Sequence, residues 1–320
     1  MATPFDPKQL LNGIDAEAFK ALFQTQPARH ALAIVLNWVF IAAAIFLTLQ
    51  FPIIPVYLLA IIVIGARMHA LAILTHDATH YRFLKNRYWN DLLTNLFSMY
   101  PVFSSIEKYR ANHLSHHQHL NTEEDPDWVA KLGKRGFTFP QTRTEFVTTI
   151  LSYIVLYQGI SDAIWFFKRF GRNKSTAENK ENGKVRLVYY LSIVTILTVF
   201  GWWTYFLLFW MVPYLSFFFL FQYIRSVAEH YGEMAHEDDL TATRTVIATR
   251  LEEFLIAPHN VGYHLEHHLF PGVPFYNLSK LHRLLMAQPQ YAQQAHVTIG
   301  YTFGLLKELG HGKKKKVALN

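Results

Sequence analysis

Apolar residues in this chain are clustered. Residues 31–50 (ALAIVLNWVFIAAAIFLTLQ) carry no charge, and residues 56–75 form a second run interrupted only by Arg67 and His69. At about 1.5 Å of rise per residue, twenty such positions cross a hydrocarbon core of roughly 30 Å. Residues 187–224 are 38 consecutive uncharged positions, too many for one span. Gly201 and Pro213 interrupt that run, which predicts two spans near 187–203 and 205–224. A further run, 146–167 (FVTTILSYIVLYQGISDAIWFF), is also long enough to cross.

The placement of charge orders these runs. Arg82, Lys85, Arg87, Lys108, Arg110, Lys131, Lys134 and Arg135 follow the second run, and Lys168 to Arg186 adds seven basic residues against two acidic ones. The FPIIP turn at 51–55 has no charge. The positive-inside rule puts the basic segments in the cytoplasm. If 146–167 crossed, the basic segments on its two sides would lie on opposite faces, so it reads as an interfacial or cap-packed helix.

The expected fold is an all-α integral membrane protein with four transmembrane helices in two hairpins and a cytoplasmic helical cap. Residues 1–30 form a cytoplasmic N-terminal segment, 31–75 the first hairpin, and 76–186 the cytoplasmic region with the interfacial helix. Residues 187–224 form the second hairpin and 225–320 the rest of the cap with a basic tail, all within one domain.

The first 30 residues are polar, unlike a cleavable signal peptide. Within them Asp15 caps a short helix whose one face carries Ala16, Phe19, Leu22 and Phe23. That face lies in the membrane interface or packs on the rest of the protein. Residues 171–185 read as a mobile surface loop and 313–316 (KKKK) as solvated charge.

Composition narrows the class. Charged residues make up 17% of the chain, against roughly 25% in soluble domains. The net charge of +7 sits beside apolar runs, which points to lipid headgroups and not to nucleic acid. With no cysteine, disulfides, thiolate metal sites and cysteine-held iron–sulfur clusters are excluded.

Histidine, by contrast, occurs seventeen times. His76 and His80 stand in HDATH just after the second run, at a spacing that shares a helix face. His113, His116 and His117 stand in HLSHH, and His264, His267 and His268 repeat that i, i+3, i+4 pattern in HLEHH. The expected topology returns all three clusters to the cytoplasmic ends of spans. Eight neutral imidazoles in one small volume need a shared partner, and metal ions supply it. Eight nitrogens exceed one tetrahedral or octahedral shell, so two ions fit better, and imidazole alone does not choose among iron, zinc and copper. A zinc hydrolase would need Asp77 as general base in HDATH, and Glu266 is misplaced for that role in HLEHH. A metal transporter would place ionisable residues inside the spans, and 31–50 and 187–224 have none.

HDATH, HLSHHQHLNTEEDPDW, AEHYG at 228–232 and HNVGYHLEHHLFPGVPFYNL resemble the membrane fatty acid desaturase/hydroxylase superfamily over residues 30–285. The resemblance implies a non-haem di-iron site, oxygen as oxidant and an external electron donor, a ferredoxin or a cytochrome. It implies His76, His80, His113, His116, His117, His264, His267 and His268 as iron ligands. His230 in AEHYG is then a ninth, with His119 and His259 as weaker candidates. Asp77, Glu229, Glu266 and one of Asp125 or Asp127 are candidates to orient the imidazoles, with a turn-forming role in DPDW as the rival for the last two. Asn260, four residues before His264, reaches the metal or caps the helix.

Such a centre removes hydrogen from unactivated carbon, giving a double bond or an alcohol. The expected function is desaturation of a fatty acyl chain of a membrane lipid, with hydroxylation or ketolation of a carotenoid or alkyl chain as the alternative. Phe217, Phe218, Phe219, Phe221, Trp202, Trp203 and Trp210 line a tunnel for that chain or pack in the core or against lipid. The three-residue spacing inside HDATH is similar to acyl-lipid, sphingolipid and carotenoid enzymes more than to animal acyl-CoA desaturases. His264 stands where front-end desaturases carry Gln. A bacterial inner membrane is expected before the endoplasmic reticulum.

Overall fold

The computed structural model describes residues 6–170, 182–231 and 240–309. Of the expected loop over 171–185, residues 171–181 lie outside the described residues, as does the KKKK tail, and 183–185 are not loop but the first turn of a helix capped by Asn182. In chain order the helices are α1 (Ala16–Ala21), α2 (Pro27–Gln50), α3 (Ile54–Thr79), α4 (Arg87–Thr94), α5 (Ile106–Gln118), α6 (Pro126–Val129), α7 (Arg143–Ile154), α8 (Tyr157–Phe170) and α9 (Gly183–Val199). There follow α10 (Trp203–Phe206), α11 (Phe219–His230), strand β1 (Thr245–Ile247), α12 (Arg250–Leu255), α13 (His264–Leu269), α14 (Phe275–Met286), α15 (Pro289–Gln294), strand β2 (Val297–Ile299) and α16 (Leu305–Leu309). The chain divides into two compact units, one of residues 25–114 and 150–222, the other of residues 1–24, 115–149 and 223–320.

Among the described residues three helices are long and apolar enough to cross a membrane: Pro27–Gln50, Ile54–Thr79 and Trp203–His230. A fourth is added if α7 and α8, bent by 74° at their junction, count as one span. The expected span 187–203 is α9, 17 residues long and without a buried residue. The chain turns after it at Gly201, whose φ is +67°.

Pro213, read as an interruption of the apolar run, lies inside the expected span 205–224 and does not break it. The helix runs through it over 28 residues, flanked by π-helical turns at Leu207–Met211 and Tyr214–Phe218. Wider turns absorb the missing N–H and the ring's clash with the preceding turn, which a strict α-helix cannot.

In the first unit α2 buries one stripe, His30, Ile34, Asn37, Ile41, Ala44 and Thr48, at alternating four- and three-residue spacing. Leu32, Val35, Phe46 and Leu47 on its other faces are apolar and exposed, as a lipid-facing helix requires. Asn37 accepts from Arg67 Nη1 of α3 at 3.2 Å, so the one arginine inside these runs has a buried polar partner. Helix α8 packs against the long helix: a Cβ on Gly159 would lie 1.7 Å from the Leu215 carbonyl oxygen. Phe218 and Phe221 are buried, Trp202 and Trp203 are exposed, and Trp210 stacks on Trp38 at 5.6 Å. Packing therefore accounts for several of the aromatics considered as a tunnel lining.

In the second unit Asp15 Oδ1 accepts from Ala18 N at 2.7 Å and starts α1. Leu22, Phe19 and Phe23 join Leu10, Leu265, Leu269, Phe270, Leu281 and Leu285 in one apolar cluster, so this helix packs on the protein. The expectation of an all-α chain needs one correction. β1 and β2 pair in parallel, Val246 opposite Thr298, fifty-two positions apart along the chain. β-branched residues dominate both strands and suit a pleated surface, but pairing at that distance leaves no local signal.

Gly159→Ala is expected to lower the thermal midpoint of the detergent-solubilised protein, by an overpacking cost of about 1–3 kcal/mol. Gly183→Ala, where a Cβ meets nothing within 4 Å, leaves the midpoint unchanged.

Candidate metal centre

Helix periodicity makes the boxes usable. On α5 the imidazoles of His113, His116 and His117 emerge within one turn of each other, and on α13 those of His264, His267 and His268 do the same. α13 is only six residues long and has no side-chain N-cap, so its position comes from its surroundings. Val246 N donates to Gly262 O at 2.8 Å, and a Cβ on Gly262 would sit 2.4 Å from Val246 O. Only glycine lets β1 approach the start of α13 this closely.

In the second unit four imidazoles converge. His264 Nε2 lies 2.9 Å from His230 Nε2 and 3.0 Å from His268 Nε2. With His116, the ligand atoms of all four lie within 4.8 Å of one another, and three of the residues are buried. Two imidazole nitrogens this close either share one proton in a hydrogen bond or, with their protons on the outer nitrogens as metal ligation requires, turn lone pairs toward each other. A cation removes that repulsion. Ligand nitrogens about 2.1 Å from one metal lie roughly 3.0–3.4 Å apart at adjacent positions, so the donor set fits an ion. His117 Nε2 also lies 2.9 Å from His267 Nε2, and the His117 ring stacks on His268 at 4.3 Å.

In the first unit His113 Nε2 lies 3.2 Å from His80 Nε2, and the His76 ring is 4.4 Å from that of His113. His80 caps the C-terminus of α3, so the two histidines of HDATH are not both within the helix. Burial, with Arg82 and Arg110 nearby, pushes the His80 imidazole down to about 4. It is therefore neutral at physiological pH, as a metal ligand must be.

The carboxylates divide. Asp125, fully buried, receives His116 Nδ1 at 2.8 Å and Asn121 N at 3.0 Å on one oxygen. Its other oxygen accepts from Asp127 N at 2.8 Å and Trp128 N at 3.2 Å, capping α6. Orientation and turn formation are thus one residue's work, and His116 turns its Nε2 inward. Asp127 instead pairs with Lys131. Glu229 pairs with Arg225 at 3.0 Å and lies 3.6 Å from His264 Nδ1, too far for a hydrogen bond but close enough to favour its N–H form. Asp77 is buried beside His76.

Glu266 does not orient a box imidazole. Its carboxylate accepts from Thr245 Oγ1 and Tyr291 Oη, each at 2.6 Å, and is held by His282 Nδ1. It ties α13 to β1, α14 and α15. Asn260 does not extend or cap α13 either: its φ is +56°, the helix begins at His264, and its Nδ2 donates to Phe275 O at 3.0 Å. His119 faces its own helix, with Nδ1 3.1 Å from Ser115 O, and His259 packs on Phe275. Thr245, His282 and Tyr291 carry no sequence signal, because each is an ordinary residue outside the boxes.

Asp125→Asn, which keeps shape and removes charge, is expected to weaken metal binding about 10- to 100-fold in a chelator competition, with Asp127→Asn closer to the native protein. His80 makes a second prediction. A buried histidine with a depressed pKa stabilises the fold fully above its unfolded value near 6.5, and that contribution is lost as pH falls from there through about 4. Acid unfolding of His80→Gln is expected to lose less stability across that window than the native protein.

The histidine constellation has known counterparts. The family model described as fatty acid desaturase matches residues 52–300. Dihydrorhizobitoxine desaturase of Bradyrhizobium elkanii is 32% identical over 250 residues, 75% of this chain and 70% of that protein. The sn-1 oleoyl-lipid 12-desaturase of Anabaena variabilis is 24% identical over 79% of this chain and 75% of its own length. The sn-1 acyl-lipid omega-3 desaturase (ferredoxin) of Nostoc sp. (strain 36) is 24% identical over 68% of this chain and 63% of its own. The match spans all three histidine boxes and most of the chain, and with it the protein belongs to the fatty acid desaturase family and is an oxidoreductase.

Proposed function

We propose that this protein desaturates the acyl chain of a membrane lipid, using oxygen, two electrons from a ferredoxin, and two irons held by His76, His80, His113, His116, His117, His230, His264, His267 and His268. The observation that carries the reading is the tetrad of His116, His230, His264 and His268, three of them buried, an all-imidazole donor set with no carboxylate or thiolate among its ligands. Imidazole-held iron, once bound, supplies the oxidising power to break an unactivated C–H bond. The balance is two hydrogens from adjacent carbons, with oxygen, two electrons and two protons, giving a double bond and two waters. The chain's own groups act on individual ligands. Asp125 sets the tautomer of His116, and burial keeps His80 uncharged.

Two of the similar proteins are named for acyl-lipid substrates and one for ferredoxin, which supports the substrate class and the donor. Four spans in two hairpins remain the proposed topology. α9, at about 26 Å, is the short member of the second hairpin; the basic segments support a cytoplasmic face for the histidines, and the proposed location is a bacterial inner membrane. A second reading, desaturation of a substrate other than an acyl lipid, is favoured by the 32% identity to the dihydrorhizobitoxine enzyme.

Expression in a host of known lipid composition, with ferredoxin and oxygen supplied, distinguishes these. Mass spectrometry is expected to show lipid acyl chains lacking two hydrogens, absent with His116→Ala. A gain of one oxygen would indicate hydroxylation. An unchanged lipid profile from an iron-loaded protein would reject the acyl-lipid reading in favour of the second.

A further inference from the structure

Arg244 is among the largest fully buried side chains described, and it belongs to no histidine box. Its backbone N–H donates to Glu229 O at 3.1 Å. Its Nη1 donates to Ala228 O at 3.0 Å and its Nη2 to Tyr231 O at 3.1 Å. These carbonyls flank His230 on both sides at the C-terminus of α11. The last carbonyls of a helix have no partner inside it, and a cation there is also favoured by the helix dipole. One residue thus satisfies three carbonyls around a single imidazole. Arginine suits this, because its planar fork reaches two acceptors at once while lysine offers a point charge.

Arg244 is itself held. Its Nη2 lies 3.0 Å from Glu308 Oε2, and its Nε lies 3.3 Å from His296 Nε2. Glu308 also engages His296 at 2.9 Å and Thr298 Oγ1. Burial raises the Glu308 carboxyl, but the His296 hydrogen bond and the Arg244 charge outweigh it and hold it below the usual range, so it is ionised. Glu308 stands on α16, beyond residue 300 where the family match ends.

We propose that Arg244, braced by Glu308, is the positioning residue for His230, setting where that imidazole stands in the metal tetrad. The inference rests on the reading of His230 as a ligand. It assigns to the C-terminal segment, outside the matched region, a part in the site through the chain Glu308, Arg244, His230.

The test is chelator-driven iron release from the purified, full-length, iron-loaded protein. Arg244→Gln is expected to release iron about 10-fold faster, as loss of outer support to a ligand does. Arg244→Lys and Glu308→Gln should fall between it and the native protein. Each variant is repeated in a His230→Ala background, where the remaining iron should leave at the His230→Ala rate whatever stands at 244 or 308. Equal acceleration in both backgrounds would mean a general loosening and would overturn the proposal, as would native release from Arg244→Gln. If Arg244→Gln does not fold, Glu308→Gln, which leaves the bonds to the α11 carbonyls, carries the same comparison. Native iron content and release in His230→Ala alone would overturn the ligand reading itself, and the positioning role with it.

Discussion

Imidazole nitrogens stand 2.9–3.2 Å apart in buried or half-buried places, at His230 and His264, at His264 and His268, at His117 and His267, and at His80 and His113. This arrangement constrains everything around it. Neutral rings at that spacing share a proton or, with both protons on the outer nitrogens, turn lone pairs toward one another, and charged rings repel. In the second form the arrangement is a cost without a cation and a ligand shell with one. The surroundings act on both terms. Burial keeps the His80 ring unprotonated, and Asp125 holds a proton on the outer nitrogen of His116 so that the inner one stays free.

The elements that carry these rings are short, and short helices are poor at holding themselves. α13 has six residues and no cap of its own. It is fixed on one side by the Gly262–Val246 approach and on another by the buried Glu266 network, with Leu265 and Leu269 in the apolar cluster. The end of α11 is fixed by Arg244. Charged and polar residues here act as fasteners between small elements, and each is matched by partners, since an unmatched buried charge would cost more than the anchor contributes.

The long helices follow a different logic. α2 buries a stripe and leaves apolar residues exposed elsewhere, the pattern of a helix whose solvent is lipid. Contact between helices is then set by shape. Gly159 admits the Leu215 carbonyl, and the long helix continues through Pro213 by widening its turns.

What was legible in the sequence was local. Uncharged runs of span length, the i, i+3, i+4 histidine boxes and the Asp15 cap all depend on spacings of a few residues, so periodicity and hydropathy reveal them. His116 with Asp125, nine positions apart, was within reach of the same reasoning. The π-turns flanking Pro213 were not, because a π-turn that relieves proline depends on what packs alongside. Nor were the pairing of β1 with β2, the turn of Asn260 away from α13, the three donors on Glu266, or the grip of Arg244 on the carbonyls around His230. Those partners are separated by thirteen to fifty-two positions, or come from segments whose own composition is unremarkable. The sequence alone determined which residue types were available for a metal and that long helices would meet lipid. Tertiary structure decided which carboxylate orients a ring and which only braces a helix, because a side chain's partner is set by where the backbone brings it and not by its neighbours along the chain.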